Sequence, residues 1–543
     1  MESFSGYQGT QSWLSWFYRG ILILGILFLL GRTFELTIIK GRYYRDLSEG
    51  NRIRIIALPA PRGRIMARGG EILVGNREIK KRIIFDPQTG FEKIDEIKDA
   101  NPEEIVAEYE RYYNLGEKAA HLTGYLGEVN ENEVDKVNPE CPEKGPRENG
   151  NLIGRSGLEE FYDCLLRGTD GEELIEVDTK GRKIRVLGKK EPVAGSDLKT
   201  NISYDLQEKV AELLKDKKGG IIVSDPQGQI LALYSSPSFD PNLFLGSQSN
   251  KDKVAEILKD GNFPLLNRTI GGQFHPGSIF KPLIALASLE EGKIDASYTF
   301  NDQGQIEIKT PYGNFIYNNW YFTQYGGREG TINLIRALAR STDTFFYTIG
   351  ELTGIDNLVK WAKKFGFDKD SGIDLSGEIG GLVPSPEWKK KVKNEDWFLG
   401  NTYNFSIGQG ELAVTPIEIN RYVAAIANGG KICTPQIINK GETPKCTDLK
   451  IEKGNLDLIK KGMTGACSAG GTGFTFFDFS PQVACKTGTA ETNEDGKTHA
   501  WFTFFAPNDL PEIVTTVLVE RGGEGSKVAG PIAREIADFW FKK

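Results

Sequence analysis

Gln273-Phe274-His275-Pro276-Gly277-Ser278-Ile279-Phe280-Lys281-Pro282 opens an apolar helical pattern of Leu283, Ile284, Leu286 and Ala287, which stops at Glu290-Glu291-Gly292. Gly-Ser ahead of such a pattern reads as a helix start and Gly292 as its end. Ser278 and Lys281 are three residues apart and share a helix face. An amine so placed takes the proton of a hydroxyl nucleophile, provided the amine is neutral. Burial, the helix dipole and a second cation would all lower its pKa. Taken alone, the motif reads rather as an N-cap serine, Ser278, with Lys281 a solvated first-turn residue. Chance supplies about two Ser-x-x-Lys matches in a chain of this size. The second is Ser196-Asp197-Leu198-Lys199, with no helical pattern after it, and reads as a decoy.

Outward from this segment, Gly220–Asp225 and Gln229–Tyr234 read as strands about a Pro-Gln-Gly turn. Ile332–Ala339 and Phe345–Leu352 are helical, with a break near Ser341; Asn357–Phe365 and Pro416–Ala427 are helical too. Strands return at Gln482–Ala490, Ala500–Phe505 and Glu512–Val519, with a turn at Asn493-Glu494-Asp495-Gly496 and a closing helix at Ala529–Phe541. Strands at both ends and helices between predict one α+β domain whose termini pair in a single sheet.

The chain has 543 residues, net charge −7 and 39% hydrophobic residues, enough for two or more domains with real cores. The acidic balance argues against nucleic acid as partner. The six cysteines form no Cys-x-x-Cys pair, which argues against a zinc cage. His121, His275 and His499 are far apart, so a Ser-His-Asp triad or histidine metal site is poorly supported and a base other than histidine is needed. No cofactor and no metal is expected.

Gly20–Gly31 carries no charge, Trp13, Trp16, Phe17 and Tyr18 precede it, and Arg19 and Arg32 can snorkel. No small-x-small cleavage site follows, which predicts an uncleaved anchor over 19–39 after a short tail, 1–18. Counted alone, Arg19 against Lys40, Arg42 and Arg45 favours the C-terminal part inside. Residues 40–195 are charged and turn-rich: Arg52–Leu58 alternates like a strand, as do Glu71–Val74 after the Pro61-Arg62-Gly63 turn and Leu174–Asp178, while a helical piece lies near Pro102–Tyr113. No catalytic constellation falls there. Residues 196–543 form the last domain.

Two further pieces complete a set. Ser341-Thr342-Asp343 sits at a break between helices, and Lys486-Thr487-Gly488-Thr489 lies on a strand. In this order and context they match the Ser-x-x-Lys, Ser-x-Asn/Asp and Lys-Thr-Gly set of penicillin-binding proteins and class A β-lactamases. From Lys40 onward the chain resembles a class B penicillin-binding protein. Gly41-Arg42-Tyr43-Tyr44, Asn51–Arg54, Pro61-Arg62-Gly63 and Gly154–Glu159 resemble that family's membrane-proximal domain; Asn267-Arg268, Ser406–Gly410, Thr415-Pro416 and Ala427–Gly430 resemble its transpeptidase domain. Ala67 and His275 depart from the family's usual residues. Asp343, where Asn is commoner, is similar to the elongation-type branch; the division-type branch, a serine β-lactamase and a β-lactam-sensing receptor are the alternatives.

The resemblance implies a transmembrane helix, an elongated mixed pedestal domain and a transpeptidase domain with a central antiparallel sheet flanked by helices. It implies D,D-transpeptidation of peptidoglycan stem peptides in cell-wall elongation, with β-lactams as inhibitors. Lys281, neutral, would deprotonate Ser278; Ser341 would relay a proton to the departing D-alanine; Asp343 would orient Lys281 or the donor amide. Lys486 would be the cation that keeps Lys281 neutral, Thr487 and Thr489 would bind the substrate carboxylate beside Gly488, and the Ser278 and Thr489 N–H groups would form the oxyanion hole. It also implies a single-pass inner-membrane protein with its short tail, 1–18, cytoplasmic and its catalytic domain outside the cytoplasm, a SEDS-type polymerase and other elongation-complex proteins as partners, and, in that outer compartment, disulfides Cys433–Cys446 and Cys467–Cys485.

Overall fold

A computed structural model describes residues 13–86, 90–94, 105–178, 183–245, 250–311, 313–492 and 496–542. The chain forms two compact units that are not contiguous in sequence: residues 1–61, 78–110 and 169–194 in one, residues 62–77, 111–168 and 195–543 in the other.

In the first unit, helix α1 (Trp13–Phe34) runs into a π turn, Glu35–Ile39. Its 22 residues rise about 33 Å, enough to cross a hydrocarbon layer of about 30 Å. None of its side chains is buried in protein. The helix takes in Trp13–Tyr18, assigned from sequence to the tail; residues 1–12 lie outside the described part. Strands β1 (Ile53–Leu58), β2 (Gly171–Val177) and β3 (Lys183–Lys190) form an antiparallel sheet in that order, with Ile53 opposite Glu176 and Leu58 opposite Gly171. The alternation at Arg52–Leu58 and Leu174–Asp178 predicted two of these three.

The helix expected near Pro102–Tyr113 is instead a strand, Ile105–Tyr113, with residues 102–104 outside the described part. Apolar residues at 105, 109 and 113 satisfy both a helical and a two-residue period. Tyrosine-rich, β-branched sequence favours the strand, and over its last four residues burial alternates: Arg111 and Tyr113 are buried, Glu110 and Tyr112 exposed.

The second unit holds a five-stranded antiparallel sheet. The sheet and the helices that frame it are, in chain order, α2 (Tyr204–Leu214), β4 (Gly219–Ser224), β5 (Ile230–Ser236), α3 (Lys281–Glu290), α4 (Leu334–Arg340), α5 (Asp343–Thr353), α6 (Pro416–Ala427), α7 (Lys453–Ala466), β6 (Ala484–Glu491), β7 (Thr498–Ala506), β8 (Ile513–Val519) and α8 (Gly525–Phe541), with further helices and short strands between them. The strand order is β5-β4-β8-β7-β6. The early strand β4 pairs with the late β8, Ile221 opposite Val517, so the expected closure of the two ends in one sheet is realised. The turn predicted at Asn493–Gly496 lies outside the described residues but for Gly496.

Both faces of the sheet are buried, which is why β4, β5 and β8 read as nearly continuous apolar runs. Trp501, Phe505, Val514 and Leu518 pack with α3, α5 and α6 on one side. Phe502, Phe504, Val517 and Val519 pack with α2 and α8 on the other. Helix α6 runs over the predicted span and is opened by a capping box, Thr415 with Glu418. Edge strand β6 carries Lys486, and the helical side of the sheet faces the start of α3.

Candidate active site

The Ser278 segment is not α-helical at its start. Gly277–Phe280 is a 3₁₀ turn that leads into α3 at Lys281. Residues i and i+3 eclipse in a 3₁₀ turn, so Ser278 and Lys281 share one side more strictly than on an α-helix. Pro282 stands in the first turn, where a missing N–H costs nothing. Gly277 has φ +57°, and a Cβ there would lie 2.9 Å from the Thr489 carbonyl oxygen. The Gly277 N–H donates to Gly408 O at 2.9 Å; Gly408, at φ +75°, has room for no side chain, since a Cβ would come 2.2 Å from Gly277 O. The Ser406–Gly410 motif thus clamps the turn ahead of Ser278. Gly488 plays the same part from strand β6: a Cβ there would meet Ile279 Cγ2 at 2.9 Å and Trp501 Cβ at 3.0 Å.

Ser341 ends α4 in the left-handed conformation, φ 58° and ψ 40°. Asp343 begins α5 two residues later, which places both side chains at the helix break. Lys281 is fully buried and donates to Ser341 O at 2.8 Å, to Ser341 Oγ at 3.2 Å and to Asp343 Oδ1 at 2.6 Å. Lys486, also fully buried, donates to Ser341 Oγ at 2.9 Å and to the Thr487 carbonyl at 3.0 Å. One hydroxyl, 5% exposed as a residue, therefore sits between two amines delivered by a helix and a strand distant in sequence. Ser278 is half-buried on the 3₁₀ turn, three residues before Lys281.

Burial pushes the pKa of Lys281 down, against the Asp343 carboxylate, which favours the charged form. Burial pushes Lys486 well below the ordinary lysine range; the neighbouring Lys281 adds to this, and the more distant Asp343 opposes it. The sequence reading places the positive charge on Lys486; burial disfavours the charged form of both amines, and Asp343, which touches Lys281, opposes this most directly there. The chain Lys281 Nζ–Ser341 Oγ–Lys486 Nζ links the two amines through one hydroxyl.

Of the remaining residues expected at the site, Thr487 is buried and donates to Thr472 Oγ1 at 2.8 Å, and exposed Thr489 accepts from Gly525 N at 3.2 Å through its hydroxyl. Sequence reasoning passed over Thr472, in a glycine-rich loop without periodicity, and Trp320, whose N–H donates to Asp343 Oδ2 at 2.8 Å. The decoy is kept apart: Ser196 and Lys199 are exposed, and Leu198–Lys199 pairs with Ile65–Met66. Cys433–Cys446 and Cys467–Cys485 are bonded as expected; Cys141–Cys164 is a third bridge that no sequence feature flagged. Cys485 adjoins Lys486, so the bridge fastens β6 to the end of α7. Among the described residues no cluster of His, Cys, Asp and Glu could hold a metal.

The penicillin-binding protein transpeptidase domain matches residues 219–538, and the penicillin-binding protein dimerisation domain matches residues 86–200. The peptidoglycan D,D-transpeptidase MrdA of Haemophilus influenzae is 31% identical over 97% of this chain and 91% of its own length; that of Escherichia coli K12 is 30% identical over 95% and 93%. Pseudomonas aeruginosa PBP2 in complex with WCK 5153 superposes with a TM-score of 0.74 at 31% identity, covering 90% of this chain and 97% of that one. Helicobacter pylori PBP2 in complex with MreC gives a TM-score of 0.77 at 26% identity, covering 90% and 98%. With three motifs brought onto one hydroxyl and both domain models matched in order, the chain belongs to the class B penicillin-binding proteins.

Proposed function

We propose that Ser278 is the nucleophile through which this chain, an elongation-type peptidoglycan D,D-transpeptidase, crosslinks stem peptides. The observation that carries the assignment is the hydrogen-bonded chain from Lys281 through Ser341 to Lys486, at 3.2 and 2.9 Å. In the resting site Lys281 is the ammonium, paired with Asp343. Lys281 gives a proton to Ser341 Oγ as Ser341 gives its own to neutral Lys486. Lys281 is then the free amine beside Ser278, and Lys486 the cation.

Lys281 next takes the Ser278 proton as Ser278 Oγ attacks the carbonyl between the two terminal D-alanines of a donor stem. The N–H groups of Ser278 and Thr489 receive the developing oxyanion, an interaction worth about 3–4 kcal/mol at comparable sites. The amide C–N bond breaks as Ser341 protonates the departing D-alanine nitrogen and is reprotonated by Lys281, leaving an ester on Ser278 and Lys281 neutral again. An acceptor amine of a second stem attacks that ester, losing its proton to Lys281; the new amide forms as the Ser278 C–O bond breaks, and Lys281 returns the proton to Ser278 Oγ. Thr487 and Thr489 hold the donor carboxylate. A β-lactam presents the same carbonyl and carboxylate, and its ring-opened ester on Ser278 is slow to leave.

In this reading α1 is a single-pass anchor in the inner membrane, and the catalytic unit lies outside the cytoplasm, where all three disulfides persist. The residues 40–195 form the pedestal and 196–543 the transpeptidase domain. Strand polymerisation falls to a partner, a SEDS-type membrane glycosyltransferase, within an elongation complex. The likeness to a PBP2 bound to MreC supports such a complex.

Fluorescent penicillin tests the assignment. One label per chain is expected, lost in Ser278→Ala and kept in Ser196→Ala. Label retained by Ser278→Ala, or steady turnover of penicillin by the wild type, overturns it.

A further inference from the structure

Asp343 can serve Lys281 only while its carboxylate is held still, and the structure shows how this is done. Oδ1 faces Lys281; Oδ2 accepts from the Trp320 N–H, and the Asp343 N–H donates to Asn319 Oδ1 at 3.2 Å. Asn319 is fully buried. Its Nδ2 donates to Asp302 Oδ2 at 3.1 Å, and its backbone N–H to Gly304 O at 2.8 Å.

Asp302 is 1% exposed and, among the described residues, pairs with no cation; its carboxylate accepts from four neutral donors, Gly304 N, Thr344 Oγ1, Asn319 Nδ2 and Glu329 N. These donors come from both ends and the interior of the segment 303–329, and from the first turn of α5. The segment carries the hairpin Gln305–Thr310 with Gly313–Asn318, and the helix Trp320–Tyr325. A buried carboxylate without a counter-charge is costly unless every lone pair is used, so this hub has a purpose beyond charge neutralisation.

We propose that Asn319, anchored by Asp302, is a positioning residue that holds the Asp343 carboxylate against Lys281. The position calls for this residue type. It stands between a carboxylate, which needs a donor, and a backbone N–H, which needs an acceptor; a primary amide offers both within one side chain, whereas Asp would set two carboxylates together. Asn319 also places Trp320, the next residue, whose N–H takes the second oxygen of Asp343. The inference rests on the acyl-enzyme reading above and concerns only how its base is oriented.

A double-mutant cycle decides it. Acylation of the detergent-solubilised full chain by fluorescent penicillin is timed for wild type, Asn319→Ala, Asp343→Ala and the double variant, with thermal melts alongside. Asn319→Ala is expected to acylate about tenfold more slowly, or about 1.4 kcal/mol, while adding less than twofold to the loss in Asp343→Ala. A wild-type rate in Asn319→Ala, or the same tenfold loss on top of Asp343→Ala, overturns the proposal; the latter is the mark of a merely structural residue. Should Asn319→Ala fail to melt cooperatively, Thr344→Val removes only the hydroxyl that ties Asp302 to α5. About threefold slower acylation is then expected, again absent in the Asp343→Ala background, and a wild-type or additive result overturns the proposal. A wild-type chain without label overturns the acyl-enzyme reading and this one together, whereas a labelled wild type with additive variants overturns this one alone.

Discussion

Ser196–Lys199 and Ser278–Lys281 spell the same pattern and meet opposite fates. At the first, both side chains are exposed, and the local backbone is tied down by bonds to neighbouring segments: Ser196 N donates to Leu165 O, and Leu198 N to Arg64 O. At the second, a 3₁₀ turn aligns the two side chains, and burial strips the lysine of water. A solvated lysine holds its proton; a buried one, ringed by a hydroxyl and a second amine, can part with it. The pattern is therefore a statement about reach, and the surroundings make it chemistry.

The contrast breaks most visibly at the lysines. Lys281→Ala is expected to slow penicillin acylation by a factor on the order of 10³ or more, and Lys199→Ala to leave it unchanged; equal rates for the two variants would remove the distinction. Lys281→Arg should be as slow as alanine, because a guanidinium does not deprotonate in this range. Ser341→Ala and Lys486→Ala come next, each slower by a factor on the order of 10² in the same assay, with far less than the product of the two losses in the double variant, because both cut one proton path.

Asp343→Asn sharpens the comparison through pH. Asp343 raises the Lys281 pKa against burial. Its removal lets that pKa fall further, so Lys281 is neutral at lower pH, and the acid limb of the acylation profile should move toward acid. The maximal rate should change by less than about tenfold. A limb that stays in place, or moves toward alkali, would contradict the pairing.

Two stability effects follow. Removing Cys467–Cys485, which closes a separation of 18 residues, should cost about 3 kcal/mol in denaturant unfolding under oxidising conditions. His121 is buried against Phe239, shares a hydrogen bond with Pro264 O, and is held at a pKa of about 4 by burial. The unfolded chain binds that proton near 6.5. Stability is thus full above pH 6.5 and drains as pH falls toward 4, by up to about 3 kcal/mol. Melts of His121→Phe should lose that slope between pH 6.5 and 4.

Much of the site was legible because its parts are local. Gly277-Ser278 before an apolar pattern, the helix break at Ser341 and the strand bearing Lys486 each declare their own backbone, and α6 announces its start with Thr415-Pro416 and Glu418. The reading failed where two periods coincide, as at Ile105–Tyr113. It was silent where the decisive contact is between loops, as with Thr472 and Asn319. Cys141–Cys164 lay in turn-rich sequence with no periodic element to orient either cysteine.

Residue order alone was enough to mark the proposed nucleophile, the amine three residues on and the two later motifs, since spacing along a turn or strand dictates which side chains share a face. The charge distribution was beyond it. Lys281 and Lys486 are 205 positions apart in the chain, and which of them holds the proton depends on a carboxylate only one of them touches. That contact exists because packing against the sheet brings α3, the α4–α5 break and strand β6 onto a single hydroxyl, and electrostatic energy depends on distance through space rather than along the chain.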